Sequence, residues 1–356
     1  MWVEEIEIAD LRNLRHVRLG LDRALNVFVG RNAQGKTSLL EAVGLLARGR
    51  SFRTEDVRTL IRTGATRLQA RGLARHEGEA ASLEVEISGE GRRLRLDGRD
   101  VPPRSYHGRL EVVVYSTERL KVIRGPMRER RQYLDRAASA LWPAYRQTQR
   151  DYERVVQQRN ALLEDGGGGL EAWDERLIAL GAALRHRRGC YVARLRAGLT
   201  GGFLPQGEAY TITVDPAAAG EGEAGEQRRL ADEVRARARD ERRARRTLVG
   251  PHRDQVVLSV DGVDAAQQAS SGQCRSLLLA LSLATLEVYG SELGSSAVAL
   301  LDDLDSELDE ERAAALCAEV ARRGQALVTT AHRDWAERLA PLGRVFAVEN
   351  GEVRAA

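Results

Sequence analysis

Asn26-Val27-Phe28-Val29-Gly30-Arg31-Asn32-Ala33-Gln34-Gly35-Lys36-Thr37-Ser38-Leu39-Leu40 is the stretch that decides the fold. Asn26–Val29 reads as a short apolar strand that ends in Gly30. Leu39, Leu40, Val43, Leu46 and Ala47 then fall on one face of a helix. Gly30 through Thr37 fit the P-loop pattern completely, and they lie between a strand and a helix, where that pattern has meaning. The glycines let the backbone curl so that successive N–H groups point at a phosphate. The helix N-terminus adds a favourable dipole. Residues Gly30, Arg31, Asn32, Ala33, Gln34, Gly35, Lys36, Thr37 and Ser38 are therefore expected to hold ATP. Lys36 is expected on the β- and γ-phosphates, and the Thr37 hydroxyl on Mg²⁺. A chance match in a chain of this composition is on the order of a few in a thousand. Of the 55 basic residues only Lys36 and Lys121 are lysines, so composition alone does not account for a lysine at this position.

Further along, Val298-Ala299-Leu300-Leu301-Asp302-Asp303 is an apolar strand that ends in two carboxylates. Asp302 is expected in the Mg²⁺ shell, as a Walker B aspartate is. Asp303 is expected to orient or deprotonate the attacking water. An acidic turn after a buried strand is the plain alternative, and the upstream P-loop makes it the minority reading. Ser270-Ser271-Gly272-Gln273 precedes an apolar helix, and alone it reads as a helix cap. Its place between the P-loop and the paired aspartates is the chain order of an ABC ATPase, which it resembles as the signature segment. Asp305-Ser306-Glu307-Leu308-Asp309 resembles a D-loop. His332, after the strand Ala326–Thr330, resembles the switch histidine that senses the γ-phosphate. The expected catalytic set is Asp303, His332 and Lys36, with Thr37 and Asp302 on the metal. In ABC ATPases the signature of one copy caps the ATP of another, so these elements imply an ATP-dependent, two-fold homodimer.

The chain has 356 residues, 43% of them hydrophobic, and a net charge of +3. That is enough for a large two-lobed domain, and nucleic-acid contact must come from local clusters rather than bulk charge. Cys190, Cys274 and Cys317 show neither disulfide nor zinc spacing, which fits a reducing cytosol. The acidic, amphipathic start MWVEEIEIADLRNL is not a signal peptide. No run approaches the roughly 18 apolar residues of a membrane span. A cytoplasmic protein with no membrane partner is expected.

The patterning implies an α/β fold, an ABC-type P-loop ATPase head with an antiparallel N-terminal β-subdomain and an inserted helical lobe. Residues 1–29 and 68–97 alternate in the antiparallel manner, and Glu111–Tyr115 is a continuous buried strand. From about residue 118 the chain becomes helical. Leu170, Trp173, Leu177, Leu180 and Leu184 form the seam of a short helical hairpin that turns at Gly166–Gly169. The segment 228–246 is expected as a surface helix, and α/β alternation resumes at 247. Three parts are expected: 1–117 with the P-loop, 118–246 as the helical insertion, and 247–356 with the signature, Walker B, D-loop and switch histidine.

A closer resemblance rests on longer strings. Asn32–Ala42 with Gly49-Arg50-Ser51-Phe52-Arg53 is one, and Ile123-Arg124-Gly125-Pro126 with Arg130-Arg131-Gln132-Tyr133-Leu134-Asp135 is another. Val249-Gly250-Pro251-His252-Arg253-Asp254 and Leu301-Asp302-Asp303 with Ser306-Glu307-Leu308-Asp309 complete them. Together they resemble the RecF family of bacterial recombination proteins, over nearly the whole chain. The resemblance implies a cytoplasmic DNA-repair ATPase of the SOS response, active in replication and recombination. Such proteins bind double-stranded DNA and gap junctions when ATP is bound, and work with RecR and RecO to load RecA at gaps and stalled forks. This sequence departs from the pattern at three places. Ala269 stands where the signature usually has leucine, Ser116-Thr117-Glu118-Arg119 lacks a Gln that many ABC enzymes carry there, and Asp303 is one methylene shorter than the usual glutamate. Slow hydrolysis is expected from the last.

Two arginine clusters are candidates for DNA phosphate: Arg128, Arg130 and Arg131, and Arg242, Arg243, Arg245 and Arg246. The rival readings are an ATPase subunit of another ABC or SMC-type complex, including a transporter subunit, and a P-loop kinase. A kinase needs no signature, D-loop or switch histidine. An SMC protein needs hundreds of coiled-coil residues.

Overall fold

The computed structural model describes residues 1–199, 207–216, 221–304 and 310–356. The expected D-loop, Asp305–Asp309, lies outside them. The chain divides into two compact units, Met1–Leu120 with Leu278–Ala356, and Lys121–Leu277.

The first unit contains two six-stranded sheets. One is antiparallel, in the order β2-β1-β4-β5-β6-β7, from β1 (Trp2–Leu11), β2 (Leu14–Gly20), β4 (Arg67–His76), β5 (Glu79–Ser88), β6 (Gly91–Leu96) and β7 (Arg99–Asp100). Val3, Ile6 and Ile8 of β1 and Val17 and Leu19 of β2 are buried, the alternation that the N-terminal sequence carries. The other sheet has the order β15-β14-β3-β13-β12-β8. Its strands are β3 (Leu25–Val29), β8 (Val112–Tyr115), β12 (Val298–Leu301), β13 (Ala326–Thr330), β14 (Gly343–Glu349) and β15 (Glu352–Ala355). β14, β3, β13, β12 and β8 run parallel, and β15 returns antiparallel on β14. Strands buried on both faces read as unbroken apolar runs, as Val298–Leu301 does. The helix Lys36–Arg48 buries eleven of its thirteen residues, and its leucines share one core with side chains from both sheets.

The second unit holds the helices Met127–Leu141, Tyr145–Glu164, Glu171–Leu199 and Gly222–Ala244, with a small antiparallel sheet. That sheet is ordered β11-β10-β9, from β9 (Tyr210–Asp215), β10 (Gln255–Val260) and β11 (Val263–Asp264). Leu177 and Leu184 of the expected seam are buried against Tyr152 and Val155 of the preceding helix, and Gly166 and Gly167 take positive φ in the turn. Leu230 and Val234 of the 222–244 helix are buried in the same cluster, so that segment is a third member of the bundle rather than a surface helix. The chain also returns to the first unit at Leu278, not at 247. The reason is physical: β10 pairs with β9 along its whole length, and Asp254 is held by Arg185 of the long helix.

Candidate nucleotide site

The C-terminal ends of four parallel strands carry the candidate residues, the usual place for a ligand on such a sheet. β3 opens into the P-loop, β13 leads to His332, β12 ends at Asp302 and Asp303, and β8 ends at Ser116. β13 lies between β3 and β12, so the two Walker elements are two strands apart.

The loop is built for close backbone approach. A Cβ on Gly30 would lie 2.2 Å from the Val348 carbonyl oxygen, so only glycine fits. Ala33 and Gly35 take φ of +64° and +114°, the left-handed turns that make an anion-binding concavity. The β14–β15 turn braces the loop from outside: Asn350 N–H donates to Gln34 Oε1 at 2.6 Å, and Gly351 N–H to the Gln34 carbonyl at 3.0 Å. Asn13 Nδ2 donates to the Ala33 carbonyl at 3.4 Å. Lys36 is 7% exposed, and its ammonium donates to the carbonyls of Gly30 and Arg31 at 2.6 and 3.0 Å. It is folded into the loop it would share with phosphate. Arg31, Asn32 and Ala33 are exposed, Gln34 and Thr37 half-buried, and Gly35 and Ser38 buried.

Asp302 is the centre of a hydroxyl cluster. Thr37 Oγ1 and Thr329 Oγ1 donate to its Oδ1 at 2.9 and 2.8 Å, and Ser116 Oγ to its Oδ2 at 3.5 Å. Burial pushes the Asp302 carboxyl above the ordinary carboxylate range, the Thr329 and Thr37 hydrogen bonds pull it back, and Asp303 raises it again. Thr329 Oγ1 also accepts the Asp303 N–H at 2.9 Å, so one hydroxyl fixes both aspartates. Asp303 is exposed and sits at φ +58°. His332 is exposed, and its N–H donates to Thr330 Oγ1 at 2.9 Å, while the Thr330 carbonyl accepts from Gly30 N at 3.2 Å. The histidine and the P-loop entrance thus hang from one residue. Thr37 and Asp302 present hard oxygens to one point beside the loop, which fits Mg²⁺: that ion takes one or two protein oxygens and completes its shell with phosphate and water.

Sequence reading missed Thr329, Ser116, Arg53 and Glu41. A threonine inside the apolar run Ala326–Thr330 was the one signal for the first. Glu41 is fully buried on the P-loop helix; Arg12 Nε and Nη2 donate to it at 2.9 and 3.1 Å, and Ser51 Oγ donates to it as well. Arg53 Nε donates to both oxygens of Glu118 at 2.8 and 2.9 Å, so the loop that lacks the usual Gln is held by an ion pair.

In the second unit, Ser270 and Gln273 form a reciprocal capping box. Gln273 N–H donates to Ser270 Oγ at 3.1 Å and Ser270 N–H to Gln273 Oε1 at 2.9 Å. Ser270, Ser271 and Gly272 are exposed at the head of the helix Ser271–Glu292, whose first turn has no acidic residue. The segment is a helix cap, and an exposed helix N-terminus with no acidic residue in its first turn suits an anion. Of the arginine candidates, Arg130 is withdrawn. It is 4% exposed, and its guanidinium donates to the carbonyls of Val256 and Ile123 at 2.8 and 2.7 Å. Arg131 is half-buried and donates to the Asp254 carbonyl at 3.0 Å. Arg128, Arg242, Arg243, Arg245 and Arg246 are exposed.

The two sheets around a P-loop helix, with Walker B two strands away across β13, define an ABC-type ATPase head of the SMC and RecF kind. The family described as the RecF/RecN/SMC N terminal domain matches residues 2–354. The DNA replication and repair protein RecF of Acidothermus cellulolyticus is 35% identical, over 100% of this chain and 100% of its own. The structure described as the recombination mediator protein RecF-ATP in the RecFOR pathway superposes with a TM-score of 0.89, at 27% identity, covering 100% of this chain and 97% of that one. An Smc head domain of Pyrococcus furiosus shares the fold, with a TM-score of 0.60 and 14% identity over 100% of this chain and 96% of its own. The chain belongs to the RecF family. Among the described residues, no helix is long and apolar enough to cross a membrane.

Proposed function

We propose that this protein is an ATP-dependent DNA-binding mediator of recombination and repair that uses ATP to clamp two copies of itself together. The observation that carries the reading is the Thr37–Asp302–Thr329 hydroxyl and carboxylate cluster beside the braced P-loop. Lys36 and the loop N–H groups bind the phosphates. Thr37 and Asp302 hold Mg²⁺, which when bound neutralises charge on the phosphates. Asp303 accepts a proton from the attacking water, and His332 meets the γ-phosphate. The exposed signature N-terminus, Ser270 to Gln273, caps the nucleotide of the second copy. Hydrolysis reopens the dimer and serves as a timer.

The relatives' name and the pathway of the matched structure support action on DNA with RecR and RecO partners. The protein acts in the cytoplasm on duplex DNA and gap junctions, at single-strand gaps and stalled forks, and helps load the recombinase. The exposed Arg128, Arg242, Arg243, Arg245 and Arg246 supply phosphate contact.

The test is solution mass by light scattering without nucleotide, with ADP, and with ATP and Mg²⁺. A shift from monomer to dimer with ATP alone is expected; a monomer throughout refutes self-clamping. Turnover below about 1 s⁻¹ is expected of the short Asp303. Asp303→Asn should lower it a further ~10²-fold while ATP binding survives, as loss of a general base does.

A further inference from the structure

The signature segment has a second restraint besides its capping box. Arg124 closes the short helix Lys121–Arg124 and reaches across the second unit. Its Nη2 donates to the Ala269 carbonyl at 3.1 Å, and its Nε to Cys274 Sγ at 3.4 Å. Those two acceptors bracket Ser270–Gln273. Cys274 is fully buried, its Sγ lies 3.7 Å from the Ala265 carbonyl, and its N–H donates to the Ser270 carbonyl at 3.0 Å. One planar guanidinium therefore grips the residue before the signature and the residue after it. A fork of fixed geometry restrains direction as well as distance, which a single ammonium cannot do. The residue gripped on the near side is Ala269, whose methyl side chain gives the segment little packing of its own. Arg124 also ends the stretch Ser116–Arg124, whose first hydroxyl bonds Asp302.

We propose that Arg124 is a positioning residue for the signature: it aims the N–H groups of Ser271 and Gly272 at the nucleotide of a second copy. It does this in place of the packing that a larger residue at 269 would give. The inference rests on the self-clamping reading above. It sets dimer closure and hydrolysis, and leaves nucleotide binding by the chain's own P-loop alone.

Arg124→Ala, Arg124→Lys and Ser271→Arg are compared with the unaltered full chain. Four measurements are made on each: binding of a fluorescent ATP analogue, the dimer constant with Mg²⁺ and a non-hydrolysable ATP analogue, steady-state kcat and KM, and the thermal midpoint. Arg124→Ala should weaken the dimer and lower kcat by about tenfold, with KM and the thermal midpoint unchanged, a size typical of coupling between sites. Arg124→Lys should recover part of the loss, because one donor still reaches Ala269. If Ser271→Arg abolishes the dimer and Arg124→Ala leaves it intact, the inference is overturned and the clamp stands. If Ser271→Arg also leaves the dimer intact, the clamp itself is overturned and the inference with it. A fall in thermal midpoint or in nucleotide binding that matches the fall in kcat makes Arg124 merely structural, which also overturns the inference.

Discussion

Asp302 in the nucleotide-site unit and Asp135 in the helical unit are both buried carboxylates, 7% and 6% exposed. Their partners differ. Arg188 donates to both oxygens of Asp135 at 2.6 and 2.9 Å, and the Tyr145 hydroxyl donates to it at 2.5 Å. The same Arg188 donates to the Pro251 carbonyl at 2.6 Å and lies 3.5 Å from Asp254. Arg185 grips Asp254 and Glu233. Charge in the helical unit is thus answered by charge. Asp302 receives hydroxyls from Thr37, Thr329 and Ser116, and among the described residues no cationic side chain bonds it. Neutral donors hold a carboxylate in place without cancelling its charge. The first arrangement is a fastening for four helices, and the second is a seat for a cation from solution.

If the helical network is a fastening, breaking it should carry the largest penalty. Arg188→Ala leaves Asp135 and Asp254 buried without their shared cation and should cost about 3–5 kcal/mol in urea unfolding. A cost below about 1 kcal/mol would erase the contrast. The next effect belongs to pH. His252 Nδ1 is 2.7 Å from the Tyr152 hydroxyl, and burial, with Arg253 beside it, lowers the imidazole pKa to about 4. The folded state therefore binds that proton less readily than the unfolded state does. The stability from the neutral ring is complete above about pH 6.5 and is lost as pH falls toward 4, by about 3 kcal/mol. His252→Gln should remove this part of the pH slope; an identical slope in the variant would show that His252 does not titrate on unfolding.

The smallest effect has the opposite sign. Burial raises the Asp302 carboxyl, so the folded state holds that proton more tightly than the unfolded state, and ionisation at neutral pH costs stability. Asp302→Asn should raise apo stability by about 1 kcal/mol and abolish the gain that Mg²⁺ and ATP give the unaltered protein. A less stable variant would mean that Asp302, like Asp135, is a fastening.

The nucleotide site was legible because its chemistry is local in sequence. A P-loop needs its glycines, lysine and threonine at fixed spacing, so Gly30–Thr37 identify themselves. Asp302 and Asp303 gained meaning from the apolar strand before them. The helical hairpin was legible at Leu177 and Leu184, where a repeat of three and four marks a buried seam. The helix Gly222–Ala244 was misread because arginines crowd it, and the two short apolar residues that bury it, Leu230 and Val234, are sparse.

Sequence alone determined the strand-loop-helix of the P-loop, the alternation of the N-terminal sheet and the order of the ATPase elements along the chain. Periodicity and motif spacing are set by the backbone over a few residues. Only the tertiary structure decided that Thr329 bridges Asp302 and Asp303, that Arg130 is spent on carbonyls while Arg128 is not, and that Arg124 grips both sides of the signature. Each of these joins residues far apart in the chain. An arginine or a threonine reads the same in a string whether it faces water, a carbonyl or a carboxylate; its partner is chosen by packing.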